Sequence, residues 1–344
     1  MALKPPVEVP QGAIRLNTDS QKLEFYAQDQ WWRMATDVPT LDGGARALFA
    51  GMTPNASTHT DAIDYITIPT AGNATDFGNL SVSRLGCAGF GSRSRGIFYS
   101  GGGGTPTTGS DVIDYVTIAS TGNAIDFGNA TDTSRYQKGL SNQTRGVNAG
   151  GYNPTINDII DYITIASTGN AVDFGNLDQT IGGGPGGGAS PTRGVFSGGY
   201  HPSPALASLN ILQYITIATT GNTQDFGDMT VKRSHNAQVT SSTRSVVAMG
   251  YNEPAGGGSY ANMETSEYFT FATLGNGTDF GDTIASGISP GGTSDSVRGV
   301  WAGGGTGQMI QYVNIATQGN AVDFGNMITA GGWLGATSNA HGGL

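Results

Sequence analysis

The stretch Tyr162-Ile-Thr-Ile-Ala-Ser-Thr-Gly-Asn-Ala-Val-Asp-Phe-Gly175 decides how the chain is read. Its opening residues are aromatic and β-branched, the types that fit a pleated, packed strand. Gly169-Asn170 supplies residues tolerant of positive φ, which predicts a tight hairpin turn. Asp173-Phe174-Gly175 then falls on the returning strand. The same pattern begins at Tyr65, Tyr115, Tyr162, Tyr214, Tyr268 and Tyr312, and each tyrosine is followed 11 residues later by an aspartate: Asp76, Asp126, Asp173, Asp225, Asp279 and Asp323. Phe-Gly follows every one of these aspartates.

An arginine precedes each unit: Arg46, Arg95, Arg145, Arg193, Arg244 and Arg298. The step from aspartate to the next arginine is 19 or 20 residues, whereas the step from arginine to tyrosine ranges from 14 to 24. One connection therefore varies while the rest of a roughly 50-residue repeat is constant. Arg193-Gly-Val-Phe-Ser-Gly-Gly199 reads as a short apolar strand ending in a glycine pair, and the small residues around Cys87 read as a fourth strand. Four strands in each of six repeats predict an all-β fold, a six-bladed β-propeller over residues 46–344 preceded by an N-terminal β-hairpin module over 1–45. Residues 327–344 match the small-residue strand but have no arginine strand after them, so they are predicted to close the first blade and cover its edge. The variable connections fall at one end of every blade, where binding loops on a rigid scaffold are expected.

Composition agrees. The chain has 344 residues, 56 of them glycine, and 12% charged residues. Collagen needs strict three-residue glycine spacing, and disorder combines high net charge with few aromatic or β-branched residues. Neither fits a chain with 13 Phe, 13 Tyr and 4 Trp. A net charge of −10 disfavours a broad grip on nucleic acid or an anionic membrane. Cys87 stands alone, no apolar run is long enough to span a bilayer, and Met1-Ala-Leu-Lys-Pro-Pro-Val-Glu8 has no apolar signal-peptide core.

Apolar strand, glycine pair, variable loop, tyrosine strand, turn and aromatic strand together resemble the kelch repeat, with Phe where a kelch unit carries Trp. The resemblance covers all six units and implies a propeller of four-stranded blades. In the first 45 residues, Gly12 to Arg33 reads as a hairpin with Asp19-Ser20-Gln21 as its turn and Trp31-Trp32 as an aromatic end. This segment looks like the small β-hairpin modules near the ends of bacteriophage tail-fibre and other virion proteins. That resemblance implies a non-enzymatic virion structural protein of the particle surface, acting in attachment or assembly. Trp31 and Trp32 would dock on other virion proteins or on copies of the same chain, and the propeller would meet a host-surface glycan or protein. The alternatives are a cellular carbohydrate-binding propeller and a polysaccharide depolymerase.

Few residues are arranged for chemistry. Asp-Phe-Gly matches the kinase magnesium motif in letters, but six copies in constant phase make it part of the scaffold. Gly182 to Gly188 lacks the Lys-Ser/Thr of a phosphate loop and reads as a flexible connection. His59, His201, His235 and His341 show no ligand spacing. No catalytic, cofactor-binding or metal-binding residue is assigned. The six arginines and six aspartates read as structural, paired in a ring of ions or each bonded to turn backbone within its own blade; the functional alternative is an arginine ring attracting an anion. Ligand contacts are expected from the variable loops, at Tyr152, Tyr200, His201, Tyr251, Asn252 and Tyr260.

Overall fold

A computed structural model describes residues 9–17, 22–33, 45–54, 58–103, 108–152, 154–201, 207–254 and 260–344. The described residues are all-β, without helix. The chain divides into two compact units, Met1–Asp42 and Gly43–Leu344.

The first unit is a three-stranded antiparallel meander of Ile14–Asn17, Lys22–Ala27 and Gln30–Arg33, one strand more than a hairpin. The extra reversal is at Gln28-Asp29, both left-handed at φ 51° and 59°. That pair of angles makes a two-residue turn whose twist matches its strands, here without the usual glycine. The expected turn at Asp19-Ser20-Gln21 lies outside the described residues.

Among the described residues, the second unit holds six antiparallel sheets with four principal strands each and a separate two-stranded ladder of Tyr251–Asn252 with Ala261–Asn262. Sheet II, for example, comprises Ala88–Gly91, Arg95–Gly103, Thr108–Thr117 and Ile125–Ser134. Sheets III to VI begin at Lys138, Gly186, Ala237 and Gly291 and follow the same order, with Tyr200–His201 added to sheet IV. Sheet I draws its first strand, Gly335–Ser338, from the end of the chain; it pairs with Arg46–Ala50 in the register Gly335↔Ala50 to Ser338↔Ala47. Among the described residues no hydrogen-bonded sheet closes on itself. The first strands do touch in cyclic order, II to III and onward to VI, then I, then II again.

The contacts between sheets explain the repeat. Ile63 pairs with Gly78 and Asp64 with Asp76, so Phe77 is the extra residue of a β-bulge. Gly78 sits at φ 146°, and a Cβ there would lie 2.4 Å from the carbonyl oxygen of Gly122 in the next sheet. That approach lets the Gly122 amide donate to the Phe77 carbonyl at 2.8 Å, while the Asn79 amide donates to the Asn123 side chain at 3.1 Å. The same pair of bonds joins every sheet to the next, ending with Gly72 on Phe324 and Asn326 on Asn73. Gly-Asn is therefore a docking tip rather than the hairpin reversal, which falls earlier, as where the Thr70 amide donates to the Thr67 carbonyl.

A second cyclic set stands one residue before each tyrosine. Asp64, Asp114, Asp161, Gln213, Glu267 and Gln311 are each at most 4% exposed. Each accepts a backbone amide from the preceding sheet: Ile328, Ser81, Thr131, Asp178, Thr230 and Ile284 respectively. Asp114 and Glu267 also hold the buried guanidinium groups of Arg84 and Arg233, at 2.8 and 2.9 Å. The apolar core lies between sheets, where Phe49, Val300 and Phe324, for example, share one cluster.

The expected arginine–aspartate pairing is corrected. The six repeat aspartates are exposed. Each repeat arginine lies over its own tyrosine, 4.3 to 5.1 Å from the ring centre, and that tyrosine meets the bulged phenylalanine edge to face. The guanidinium then donates to a carbonyl of the following sheet: Arg46 to Ile118, Arg95 to Ile165, Arg145 to Ile217, Arg193 to Phe271, Arg244 to Ile315 and Arg298 to Ile68. The cation covers an aromatic face and satisfies a strand-end carbonyl, both favourable to a guanidinium.

Candidate functional site

Two residues before each first strand stand Gly86, Tyr136, Gly184, His235, Ser289 and Trp333. All six are left-handed, with φ between 51° and 66°. This conformation costs a residue with a side chain about 1–2 kcal/mol. Their segments are joined by backbone hydrogen bonds that run right round: Trp333 to Ser289, Ser289 to His235, His235 to Gly183, Gly184 to Tyr136, Tyr136 to Gly86 and Gly86 to Trp333. The glycine run at 182–188 is thus part of this ring and then of the strand Gly186–Ala189, rather than a flexible connection. Glycine is required in that strand because a Cβ on Gly187 would lie 2.7 Å from the Gly139 carbonyl oxygen.

The three rings held here lie against one another. Tyr136 and Trp333 lie 4.6 Å apart, centre to centre, and His235 is 4.7 Å from Trp333 and 6.1 Å from Tyr136. His235 is buried, its Nδ1 is 2.8 Å from Ser289 Oγ, and burial lowers its pKa to about 3, so the imidazole is neutral. The variable-loop tyrosines are fastened to the same ring: Tyr152 bridges Arg135, Tyr200 bridges Gly182 and Tyr251 bridges Ser234 through their backbones. Tyr251 stacks on His235 at 5.1 Å, Tyr200 lies 5.9 Å from His235, and Tyr260 meets Tyr251 at 5.0 Å. The Arg135 guanidinium bridges Tyr136 and Tyr152, 5.0 and 5.2 Å from their ring centres.

Four of the six expected ligand-face residues therefore belong to one cluster: Tyr152, Tyr200, Tyr251 and Tyr260, the last 60% exposed. Tyr152, Tyr200, Tyr251, Tyr136 and Trp333 are half-buried. His201 and Asn252 pair with Ala207 and Ala261 and take the opposite faces of their two-residue ladders. Tyr136, Trp333 and His235 complete the site and were not singled out by sequence. Their shared distance from the following strand was present in the sequence, but four residue types occupy that position.

Beneath the rings, Lys138 on the first strand of sheet III lines a small cavity with Gly86, Cys87, Tyr136, Gln137, Gly184, Ser289 and Trp333. Its volume is about 10 Å³. Burial pulls the Lys138 pKa down to about 8 and pushes the Cys87 thiol up. At the opposite end of the first strands, His341 bonds to the Gly91 carbonyl and Ser141 Oγ at 3.0 and 3.2 Å. Its Nδ1 accepts the Gly343 amide at 3.2 Å, which assigns the donor proton to Nε2.

In the N-terminal unit, Ile14, Phe25 and Trp32 stand in register across the sheet on one face. Ile14 is 62% and Trp32 43% exposed. Trp31 is on the other face, 4.1 Å beneath the Arg15 guanidinium and 5.3 Å from Tyr26. The two tryptophans do not act as one end: Trp32 is on the open apolar row and Trp31 is covered.

Among the described residues no three His, Cys, Asp or Glu side chains gather as a metal-ligand set, and no helix is long and apolar enough to cross a membrane. Comparison with known proteins finds no matching family model and no matching curated protein.

Proposed function

We propose that this chain is a six-bladed β-propeller serving as a non-enzymatic attachment component on the surface of a virion. The N-terminal sheet holds it to the particle or to copies of itself, and the aromatic end of the axis meets the host surface. The observation that carries the reading is the aromatic cluster itself. Sheets III, IV, V and I, or the segments leading to them, each contribute a ring to one end of a rigid scaffold, where connection lengths vary. Left-handed backbone with side chains is retained at the centre of that cluster, and such strain gathers at sites with a job to do. Ring-rich, half-exposed surfaces are what recognition sites use. The apolar row of Ile14, Phe25 and Trp32 supports the second role, because a three-stranded sheet gains independent stability from covering such a face.

Electron microscopy of purified particles with an antibody against residues 46–344 tests the proposal. The expected result is labelling at the particle surface; absence of the chain from particles refutes it. Removing residues 1–42 should convert an oligomer to monomer by light scattering, whereas an unchanged oligomeric state would remove the docking role of the N-terminal sheet.

A further inference from the structure

At the end of sheet I opposite the variable connection, a groove of about 340 Å³ opens between the strand Ala62–Thr67 and the Gly72-Asn73 tip. Its lining includes Tyr65, Thr67, Thr70, Asn73, Thr75 and, from sheet VI, the buried Phe324. No lining residue is charged. Sheet IV has a groove at the same repeat positions, of about 140 Å³. Seven of its nine lining residues match those of sheet I in type; Thr220 replaces Ala71, and Gln224 replaces Thr75. Gln224 accepts a hydrogen bond from the Tyr214 hydroxyl, so its side chain spans that groove and narrows it.

The other sheets differ at the same two positions. Ile125, Val172 and Val322, all exposed, stand for Thr75 in sheets II, III and VI. In sheet V, Leu274 stands for Ala71, and the hydroxyls of Thr270 and Thr273 lie 3.2 Å apart, within bonding distance of each other. Sheet I alone combines the small alanine with a short hydroxyl side chain. Pro69 stands beside this groove where the other five repeats have alanine, and its carbonyl accepts from Arg298 at 2.8 Å. A fixed φ and a held carbonyl make the reversal rigid, so the groove is formed in advance of any ligand.

Its polar groups are free. Among the described residues, the hydroxyls of Tyr65, Thr67, Thr70 and Thr75 make no hydrogen bond to the protein, and Asn73 uses only its side-chain oxygen. Arg46 covers the Tyr65 ring, so that tyrosine offers its hydroxyl rather than a stacking face. A hydroxyl both donates and accepts, which suits a ligand that is itself rich in hydroxyls. The Gly72 and Ala74 amides are committed to sheet VI, so a peptide backbone has no such partner there. Exposed Asp76 follows Thr75 and opposes an anionic ligand. Small-molecule sites begin at about 300 Å³, a size that the sheet I groove reaches and the sheet IV groove does not.

We propose that the sheet I groove binds one uncharged sugar ring, whose hydroxyls exchange hydrogen bonds with Tyr65, Thr67, Thr70, Asn73 and Thr75. This site is separate from the aromatic cluster and does not rest on the attachment reading.

The test is equilibrium dialysis of the full chain against radiolabelled methyl glycosides of glucose, galactose, mannose and N-acetylglucosamine, with galacturonate as the charged control. At least one glycoside should bind, as a single ligand per chain, and galacturonate should bind more weakly. Thr75→Gln, which copies sheet IV at an exposed position, should remove the binding without lowering the melting temperature. Thr220→Ala with Gln224→Thr gives sheet IV the same lining residue types as sheet I and should add a second bound sugar. The proposal is overturned if none of the four glycosides binds, if galacturonate binds equally well, if folded Thr75→Gln binds as the parent does, or if the paired change adds no second sugar. A chain absent from particles that binds a glycoside in this way loses the attachment reading and keeps this one.

Discussion

Arg145 and Asp173 belong to the same repeat and keep the same phase in every unit, yet only the arginine is held. Its guanidinium lies 4.6 Å from the Tyr162 ring centre and donates to the Ile217 and Ala218 carbonyls of the next sheet. Asp173 is exposed on the bulged strand. Arg145→Ala should therefore cost about 2 kcal/mol, from a charge-assisted bond and the covered ring. Asp173→Ala should stay within about 0.5 kcal/mol of the parent. Denaturant midpoints decide it, and equal losses for both would restore the ion-pair account. His235 makes a pH prediction. Below pH 6.5 the unfolded chain takes up a proton that native His235 refuses down to about pH 3, so stability falls as pH drops through that window. The loss is roughly 5 kcal/mol at its full extent. Asp64 opposes it: burial raises its carboxyl to about 6, so its native proton stabilises at low pH and that contribution is lost as pH rises from about 4 to 6. His341, lowered to about 4, acts with His235. In His235→Gly the fall in melting temperature between pH 7 and pH 4 should be smaller than in the parent; an equal fall would show that His235 is not the titrating group.

At the scale of the element, Asp-Phe-Gly and Gly-Asn are two halves of one joint. The glycine of the bulge opens the space into which the next sheet's tip donates its amide. Gly128→Ala should therefore do more damage than a typical strand glycine change. It stands at φ 147°, and its Cβ would lie 2.4 Å from the Gly169 carbonyl oxygen. Gly122→Ala is the control, since a Cβ there meets nothing within 4 Å. Urea midpoints should drop far more for Gly128→Ala than for Gly122→Ala, and the reverse order would remove the joint. This joint shows what was legible in the sequence. The repeat period, the four strands per unit and the variable connection all follow from Tyr, Asp-Phe-Gly and Arg spacing, because those residues are the same type in each unit. The partner of each motif was not legible, because it lies in the following sheet and spacing along the chain carries no sign of it. The buried set Asp64, Asp114, Asp161, Gln213, Glu267 and Gln311 escaped notice for a different reason. The role is a shared acceptor oxygen, which three residue types supply. Gln28-Asp29 hid a third N-terminal strand because its left-handed pair has no glycine to mark it.

Across the whole molecule, every cyclic set passes through sheet I, which joins residues 335–338 to residues 46–50. The arginine bond from Arg298 to Ile68, the tip bond from Gly72 to Phe324, the amide bond from Ile328 to Asp64 and the left-handed ring from Gly86 to Trp333 each span that junction. Trp333 and Tyr136, the heart of the aromatic site, meet only because it holds. Junction and aromatic cluster are thus one structural unit, and the cluster stands or falls with the pairing of the two distant segments. The direct measurement is cross-linking at that pairing: Ala47→Cys with Ser338→Cys, register partners in sheet I, in a Cys87→Ser background. Oxidation should form the disulfide within the folded monomer and raise the melting temperature, with near-ultraviolet circular dichroism of the aromatic cluster unchanged. Failure of the two cysteines to join, or a disulfide that forms only with loss of that aromatic signal, would contradict the closed arrangement and the site built upon it.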